Sequence, residues 1–123
     1  MRKPSKRNLI KKADDLWSLL VKVKANNRCE YCGKTSSLNS HHIFSRSNKS
    51  VRWDEDNGVC LCVSHHVFGN FSAHKAPADF IEWIKGVRGE DWYKRLRKSA
   101  NTPHMPDLVS VSSYLKDELN KYE

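Results

Sequence analysis

The stretch Asn39–His66, NSHHIFSRSNKSVRWDEDNGVCLCVSHH, decides how this chain folds and what it can bind. It holds four of the six histidines and two of the four cysteines of the chain, most of them near its two ends. Imidazole and thiolate groups are the protein ligands that zinc and related transition metals prefer. The stretch therefore indicates metal binding, and residues outside it must supply the remaining ligands.

Length and charge limit the class of protein. The 123 residues, 38% of them hydrophobic, predict one domain with a modest core, and such domains often add a metal or disulfides. The net charge of +8 favours a polyanionic partner, with nucleic acid first. Neither a membrane-spanning run nor a secretory signal is recognisable, so we expect a cytoplasmic protein, in which cysteines indicate metal before disulfides.

Hydrophobic periodicity predicts an α+β fold that is mainly helical. A basic N-terminal helix is expected within 1–28, and two short strands are expected near 40–44 and 59–61. A further helix is expected to begin near Val63 or Ser64, although Gly69 weakens it. Three helices are predicted to follow, at 77–89, 90–100 and 106–122. The residues with metal-binding chemistry lie in the middle of the chain, flanked by these helices.

Two pairs of residues share the spacing of zinc ligands. Cys29-x2-Cys32 forms a thiolate knuckle, and Cys62-x2-His65 repeats its spacing with one imidazole. Their separation exceeds the ~15–20 residues between the halves of a zinc ribbon, so another unit is inserted between them. Cys60 is too close to Cys62 for this spacing, and we interpret it as a buried strand cysteine. A structural zinc site is predicted; reduced core cysteines without metal are the alternative.

The inserted segment carries a second set of metal-binding groups. His41 and His42 are adjacent, so on a strand they point to opposite faces. His66 follows His65 at the start of the expected helix, where successive side chains project about 100° apart. His65 can therefore face the zinc while His66 faces a cleft. Inert strand histidines, or a competing fifth zinc ligand, are the alternatives for His41 and His42.

The order His41-His42, Asn57, His66, framed by the two pairs of predicted zinc ligands, resembles the HNH endonucleases of the zinc-stapled type, in particular small phage-type members. The resemblance covers roughly 29–74 and implies a ββα-metal core with a structural zinc site and flanking helices. It departs from the family pattern at His65, where a cysteine is commoner, and this leaves the roles of His65 and His66 exchangeable. The implied single nuclease domain, 1–123, divides into 1–28, 29–74 and 75–123.

The resemblance also implies residue roles. His42 matches the general base, which takes a proton from the attacking water. His41 and His66 match ligands of one catalytic divalent ion, either Mg²⁺, Mn²⁺ or another divalent transition metal, and Asn57 matches the residue that braces the loop between the strands. Asn70 is a further candidate ligand, which we interpret as a helix-ending residue. His74 is a similar candidate ligand, which we interpret as a surface histidine, and His104 is expected to be unrelated to the site.

A nuclease of this kind needs cations for the phosphate backbone. Arg46, Lys49 and Arg52 are the predicted DNA contacts, while the basic cluster at 94–98 fits a phosphate-binding face and a solvated helix equally well. The expected function is a metal-dependent DNA endonuclease with a one-metal mechanism, and RNA is a weaker candidate substrate. The alternative is a zinc-dependent nucleic-acid-binding module that does not cut. Partners in phage packaging or recombination, and a location in the host cytoplasm, are expectations from the phage-type resemblance.

Overall fold

The computed structural model describes residues 4–122, apart from the side chain of Phe68. Residues 1–3 of the predicted segment 1–28 and residue 123 of the predicted segment 75–123 therefore lie outside the described residues. The fold is α+β and mainly helical, as predicted. Among the described residues, no helix is both long and apolar enough to cross a membrane. The helices are α1 (Lys6–Lys24), α2 (Pro77–Arg88), α3 (Glu90–Ala100) and α4 (Leu108–Asn120), and the strands are β1 (Leu38–His42) and β2 (Gly58–Cys62).

The two strands form an antiparallel hairpin in which His41 pairs with Val59 and His42 with Gly58. β1 ends at His42, two residues before the predicted end at 44. The physical reason is Asn57, whose main-chain oxygen accepts the Ile43 N–H at 2.9 Å and whose Oδ1 accepts the Phe44 N–H at 2.7 Å. The side-chain bond to Phe44 takes the place of the next bond of the strand ladder, so regular pairing stops there.

Helices cover both faces of the hairpin. On one face, α1 and α4 bury a cluster that includes Trp17, Leu20, Cys60 and Leu115. On the other face, α2 and α3 bury a larger cluster, which contains Val51, Val59, Leu61, Phe80, Ile84, Trp92 and Leu96. The hairpin therefore lies between two helical layers, and side chains that alternate along each strand enter different cores.

α1 approaches β2 closely at Gly58. A Cβ atom added there would lie 2.3 Å from Val21 Cγ2 and 2.8 Å from Trp17, so a larger residue would push the helix away from the strand. The helix begins after Ser5, whose Oγ accepts the Asn8 N–H at 3.1 Å. This approach brings Trp17 to the end of β1, where His42 lies.

The helix expected after β2 begins at Ser64, as predicted, but it is not an α-helix and it ends at Phe68, before Gly69. It is a π-helical turn of five residues, Ser64–Phe68, closed by a 2.7 Å bond from Gly69 N–H to the Ser64 carbonyl. An added Cβ at Gly69 would lie 2.5 Å from that carbonyl oxygen, and the extended backbone of Gly69 ends the turn. The chain then folds back, because the main-chain N–H of His74 bonds to the His66 carbonyl at 3.1 Å.

Candidate functional site

The four predicted zinc ligands form one cluster. Cys29 and Cys32 lie in the loop after α1, Cys62 ends β2 and His65 lies in the π-helical turn, and their ligand atoms all lie within 4.8 Å of one another. Sγ of Cys32 is 3.7 Å from Sγ of Cys62, and Nδ1 of His65 is 3.2 Å from Cys62 and 3.9 Å from Cys29. This group could hold a metal such as zinc.

These separations fit tetrahedral coordination. Zinc bonds to sulfur at ~2.3 Å and to nitrogen at ~2.0 Å, so neighbouring sulfurs lie about 3.8 Å apart and a sulfur lies about 3.5 Å from a nitrogen. The S···S distance of 3.7 Å agrees with the first value, and the two S···N distances of 3.2 and 3.9 Å lie on either side of the second. Burial raises the pKa of the Cys29 thiol, but hydrogen bonds from backbone N–H groups of Cys62, Cys32 and Tyr31 lower it by more.

Cys60 lies outside this cluster. It is fully buried between β2 and α1, as predicted for a strand cysteine. Burial, followed by the negative charges of Glu30 and Cys29, raises its pKa to about 11, so the thiol stays protonated. The main-chain N–H of Cys60 donates a hydrogen bond to Glu30 Oε2 at 2.7 Å. Cys60 is therefore a packing residue.

A second cluster joins His41, His66 and His74, whose ligand nitrogens also lie within 4.8 Å of one another. The sequence predicted the first two as neighbours but interpreted His74 as a surface residue. His74 is exposed, yet its Nε2 lies 3.0 Å from Nε2 of His66. Only the return of the chain after Gly69 brings it there, and no helical spacing in the sequence indicates that return. Asn70 is exposed and follows the end of the turn, as interpreted from the sequence.

The geometry of these three histidines fits a metal ion. Two nitrogens bonded at ~2.1 Å to one ion at right angles lie about 3.0 Å apart, which matches the pair formed by His66 and His74. Burial, followed by the positive charges of His66, His74 and His42, lowers the pKa of His41 to about 3. Burial, followed by the positive charge of His74, also lowers the pKa of His66. His41 and His66 are therefore neutral near pH 7, with lone pairs that can bind an ion.

His42 points to the opposite face of β1 from His41, as predicted for adjacent strand residues. Its ring stacks on the indole of Trp17, with centroids 3.9 Å apart and planes inclined by 9°. Its Nε2 lies 2.9 Å from the Arg52 carbonyl, which can only accept a hydrogen bond. Nε2 therefore carries the proton and Nδ1 the lone pair in the neutral ring. Burial lowers the pKa of His42, against a smaller opposing effect of the bond to Arg52.

Asp14 of α1 holds the segment that supplies this carbonyl. Its carboxylate accepts two bonds from the Arg52 guanidinium, at 3.1 and 2.8 Å, and one from Trp53 Nε1 at 2.9 Å. Arg52 was predicted as a DNA contact, but its side chain is only 11% exposed and its guanidinium is occupied by Asp14. In this structure Arg52 fixes the connection between the strands, and sequence reasoning did not identify Asp14 or the stacking role of Trp17.

Asn57 is fully buried before β2 and braces this connection, the role that the resemblance implied. Its Nδ2 donates to the carbonyls of Phe44 at 3.0 Å and Val51 at 3.1 Å, in addition to the bond accepted by Oδ1. All three side-chain bonds go to the backbone of the connection that carries Arg46 and Lys49. The amide therefore sets the shape of the loop beside the histidines.

One cleft of about 600 Å³ brings these groups together. Four histidines line it, namely His41, His42, His66 and His74, together with Ser45, Arg46, Phe80 and Ile81. The Arg46 side chain is 68% exposed and lies 3.8 Å from Asp14, which leaves most of its guanidinium open to the cleft. Lys49 is exposed on the same connection, and His104 lies away from the cleft, as expected.

Comparisons of the chain with protein-family models, with curated proteins and with solved structures found no match in any of the three.

Proposed function

We propose that this protein is a metal-dependent DNA endonuclease of the HNH type that hydrolyses phosphodiester bonds with His42 as general base. One observation carries the proposal: a single cleft is lined both by a cluster of three histidines and by a fourth histidine with a free lone pair. An ion-binding cluster beside a positioned base is the arrangement that metal-assisted hydrolysis requires.

The connectivity of the residues supports the same proposal. His41 and His42 lie on β1, and Asn57 directly precedes β2. The π-helical turn that follows β2 supplies His66. In the proposed assignment, residues 29–74 form the ββα-metal unit, with the π-helical turn in the position of the helix. The flanking helices α1, α2, α3 and α4 support this unit from both sides of the hairpin.

His42 would accept the proton of the attacking water at Nδ1. Its Nε2–H stays bonded to the Arg52 carbonyl, so the ring keeps its orientation while its charge changes. The carboxylate of Asp14 favours the protonated ring, whereas Arg46 and Arg52 disfavour it. A lowered pKa keeps His42 in the basic form near pH 7, and general bases work best when their pKa lies near the operating pH.

His41, His66 and His74 are the proposed ligands of the catalytic ion. A divalent ion bound there would supply a Lewis acid for the scissile phosphate and its leaving oxygen. Three imidazole nitrogens favour Ni²⁺, Co²⁺ or Zn²⁺, and to a smaller extent Mn²⁺, over Mg²⁺, because Mg²⁺ prefers oxygen ligands. The cluster at Cys29, Cys32, Cys62 and His65 has no place for a substrate once four ligands are bound, so we assign it a structural zinc.

The cations at the cleft would hold the DNA backbone. Arg46 lines the cleft and Lys49 is exposed on the adjacent connection, so both are proposed phosphate contacts. Arg52 is left out of this set because Asp14 occupies its guanidinium. A solvated charge at the edge of a cleft can reach a phosphate, whereas a buried ion pair would first have to be broken.

Cleavage of supercoiled plasmid by the purified protein tests the proposal. We expect nicking or linearisation that depends on an added divalent ion, with Mn²⁺ or Ni²⁺ more effective than Mg²⁺. His42→Ala should lose this activity while it keeps its zinc and its DNA binding, and His104→Ala, which removes a histidine outside the cleft, should keep it. DNA binding without cleavage under any ion would instead favour the non-cleaving zinc-dependent module. Matched DNA and RNA substrates identify the nucleic acid that is cut.

A further inference from the structure

A row of cations lies on the exposed face of α3. Lys94, Arg97 and Lys98 are exposed and are spaced at i, i+3 and i+4, so they lie on one side of the helix. The opposite side is buried through Trp92, Leu96 and Ala100. Among residues 4–122 none of the three cations makes an ion pair, whereas Lys11, Lys24 and Lys85 elsewhere in the protein do. Their charges are thus available to a partner.

α3, which carries this row, packs against the connection between β1 and β2 that contains Arg46 and Lys49. Asn48 Nδ2 donates to the Ala100 carbonyl at 2.9 Å, and the rings of Phe44 and Tyr93 stack with centroids 5.9 Å apart. Ser50 of the connection and Lys98 of α3 line one groove of about 360 Å³. The loop that contains Lys49 is therefore fixed against the C-terminal end of α3.

We infer that Lys49, Lys94, Arg97 and Lys98 form a basic ridge that binds the phosphate backbone of a double-stranded nucleic acid beside the cleft. This inference rests on the proposed function for the kind of partner, but it adds three cations of α3, outside 29–74, to Lys49. Cations in a row on an exposed helix face suit contacts to successive phosphates, which position a duplex. Lys94, Arg97 and Lys98 do not line the cleft of the histidines, so substitutions there leave its chemistry unchanged.

Among residues 4–122, no carboxylate forms an ion pair with a cation of this ridge. Asp54 is the acidic residue that lines the groove with Lys98, and its carboxylate caps the following turn by accepting the Asp56 N–H at 2.9 Å. Arg95, on the same helix, instead lines a different cavity with Glu30, Glu55 and Asp56. We therefore leave Arg95 out of the ridge.

Binding of a short labelled DNA duplex to the His42→Ala protein, measured by fluorescence anisotropy, tests this surface without cleavage. The double variant Lys94→Gln/Lys98→Gln is compared with Lys12→Gln/Lys116→Gln, which removes the same charge from α1 and α4 in the other helical layer. Each phosphate contact contributes about 0.9 to the slope of log affinity against log salt between about 50 and 200 mM, so the ridge variant should lower the slope by about 2. The control variant should change it little.

The outcomes separate the two proposals. Equal losses in both double variants would overturn the ridge, because the attraction would then follow net charge alone. No duplex binding by the parent protein would overturn both the ridge and the nuclease. Binding that depends on the ridge, in a protein whose unmodified form cuts nothing, would support the ridge and contradict the nuclease. A matched RNA duplex identifies the nucleic acid: preference for it would assign the ridge to RNA.

Discussion

The indole of Trp17 lies face to face on the imidazole of His42, with ring centroids 3.9 Å apart. Trp17 is itself fixed, because its Nε1 donates to the Asp54 carbonyl at 2.8 Å and its side chain is only 2% exposed. α1 lies outside the segment that carries the histidines, yet its Trp17 stacks on the ring of His42. The orientation of the proposed base thus depends on a helix that the resemblance does not include.

Replacing Trp17 should therefore affect catalysis as well as stability. We expect Trp17→Leu to destabilise the protein by roughly 2–4 kcal/mol, because it leaves a cavity in a buried cluster. It should also lower kcat with little change in KM, since the ring of His42 loses its support. Trp92→Phe, at a buried tryptophan in the other core, is the matched control. A stability loss in both variants with unchanged kcat in Trp17→Leu would contradict the positioning role.

Asp14 and Asp15 are neighbours on α1 with different surroundings. Asp14 accepts three bonds from Arg52 and Trp53, whereas Asp15 pairs with Lys11 in solvent, with side chains 62% and 75% exposed. We expect Asp14→Asn to destabilise the protein by about 1–3 kcal/mol, since it weakens a charge-assisted bidentate pair that is largely shielded from water. Asp15→Asn should cost less than about 0.5 kcal/mol. Urea unfolding of both variants measures the difference.

Zinc content distinguishes the two cysteines at the end of β2. Cys62→Ser should bind less than one equivalent of zinc and melt at a much lower temperature, because zinc binding contributes directly to folding in small domains. Cys60→Ala removes a buried thiol of similar accessibility that lies outside the cluster, so it should keep its zinc. Metal analysis of the purified variants measures this. Zinc-free wild-type protein with an unchanged melting temperature would count against a structural metal.

Acid should destabilise the protein through His41. Its folded pKa of about 3 lies below the usual value of 6.5, so in the window between them the unfolded chain binds a proton that the folded protein does not. Stability therefore falls as the pH falls from about 6.5 towards 3, by at most about 1.4 kcal/mol per pH unit for one group. The positive charges of His66, His74 and His42 act in the same direction on the pKa of His41.

Comparison with His41→Gln isolates this effect from acid loss of zinc. Without added catalytic ion, the stability advantage of wild type over the variant should shrink as the pH falls from 7.5 to 5.5. Thermal melting at the two pH values measures it. An advantage that stays constant over this range would mean that His41 is protonated equally in both states.

Local patterns were enough to predict much of this protein. The helical periods at 77–89 and 90–100 became α2 and α3 with nearly the expected bounds, because each helix has an apolar stripe of its own. The CxxC and CxxH spacings predicted the four residues that form one metal-binding cluster in the structure. Adjacency of His41 and His42 on a strand was enough to predict opposite faces, since side chains alternate along any extended chain.

The positions of His74, Trp17 and Asp14 could not be predicted in the same way. His74 reaches His66 because the π-helical turn ends at Gly69 and the chain folds back, a path that no residue spacing encodes. Arg52 was predicted as a DNA contact, because its ion-pair partner Asp14 lies 38 residues away in the sequence and no local pattern indicates the pairing. The contacts of Trp17 and Asp14 join separate elements, and their energies depend on how α1 packs on the hairpin.

The sequence by itself determined the ligand types, the helices and the alternating strand faces, because propensity, spacing and chirality act within a few residues. Only the tertiary structure decided which histidine completes the cluster, which arginine stays exposed and what holds His42. His74 completes the cluster because the chain folds back after Gly69. The support of His42 and the burial of Arg52 follow from the close approach of α1 to β2 at Gly58, where the absence of a side chain lets Trp17 and Val21 reach the strand. Burial of that interface stabilises the whole arrangement, and no local segment contains it.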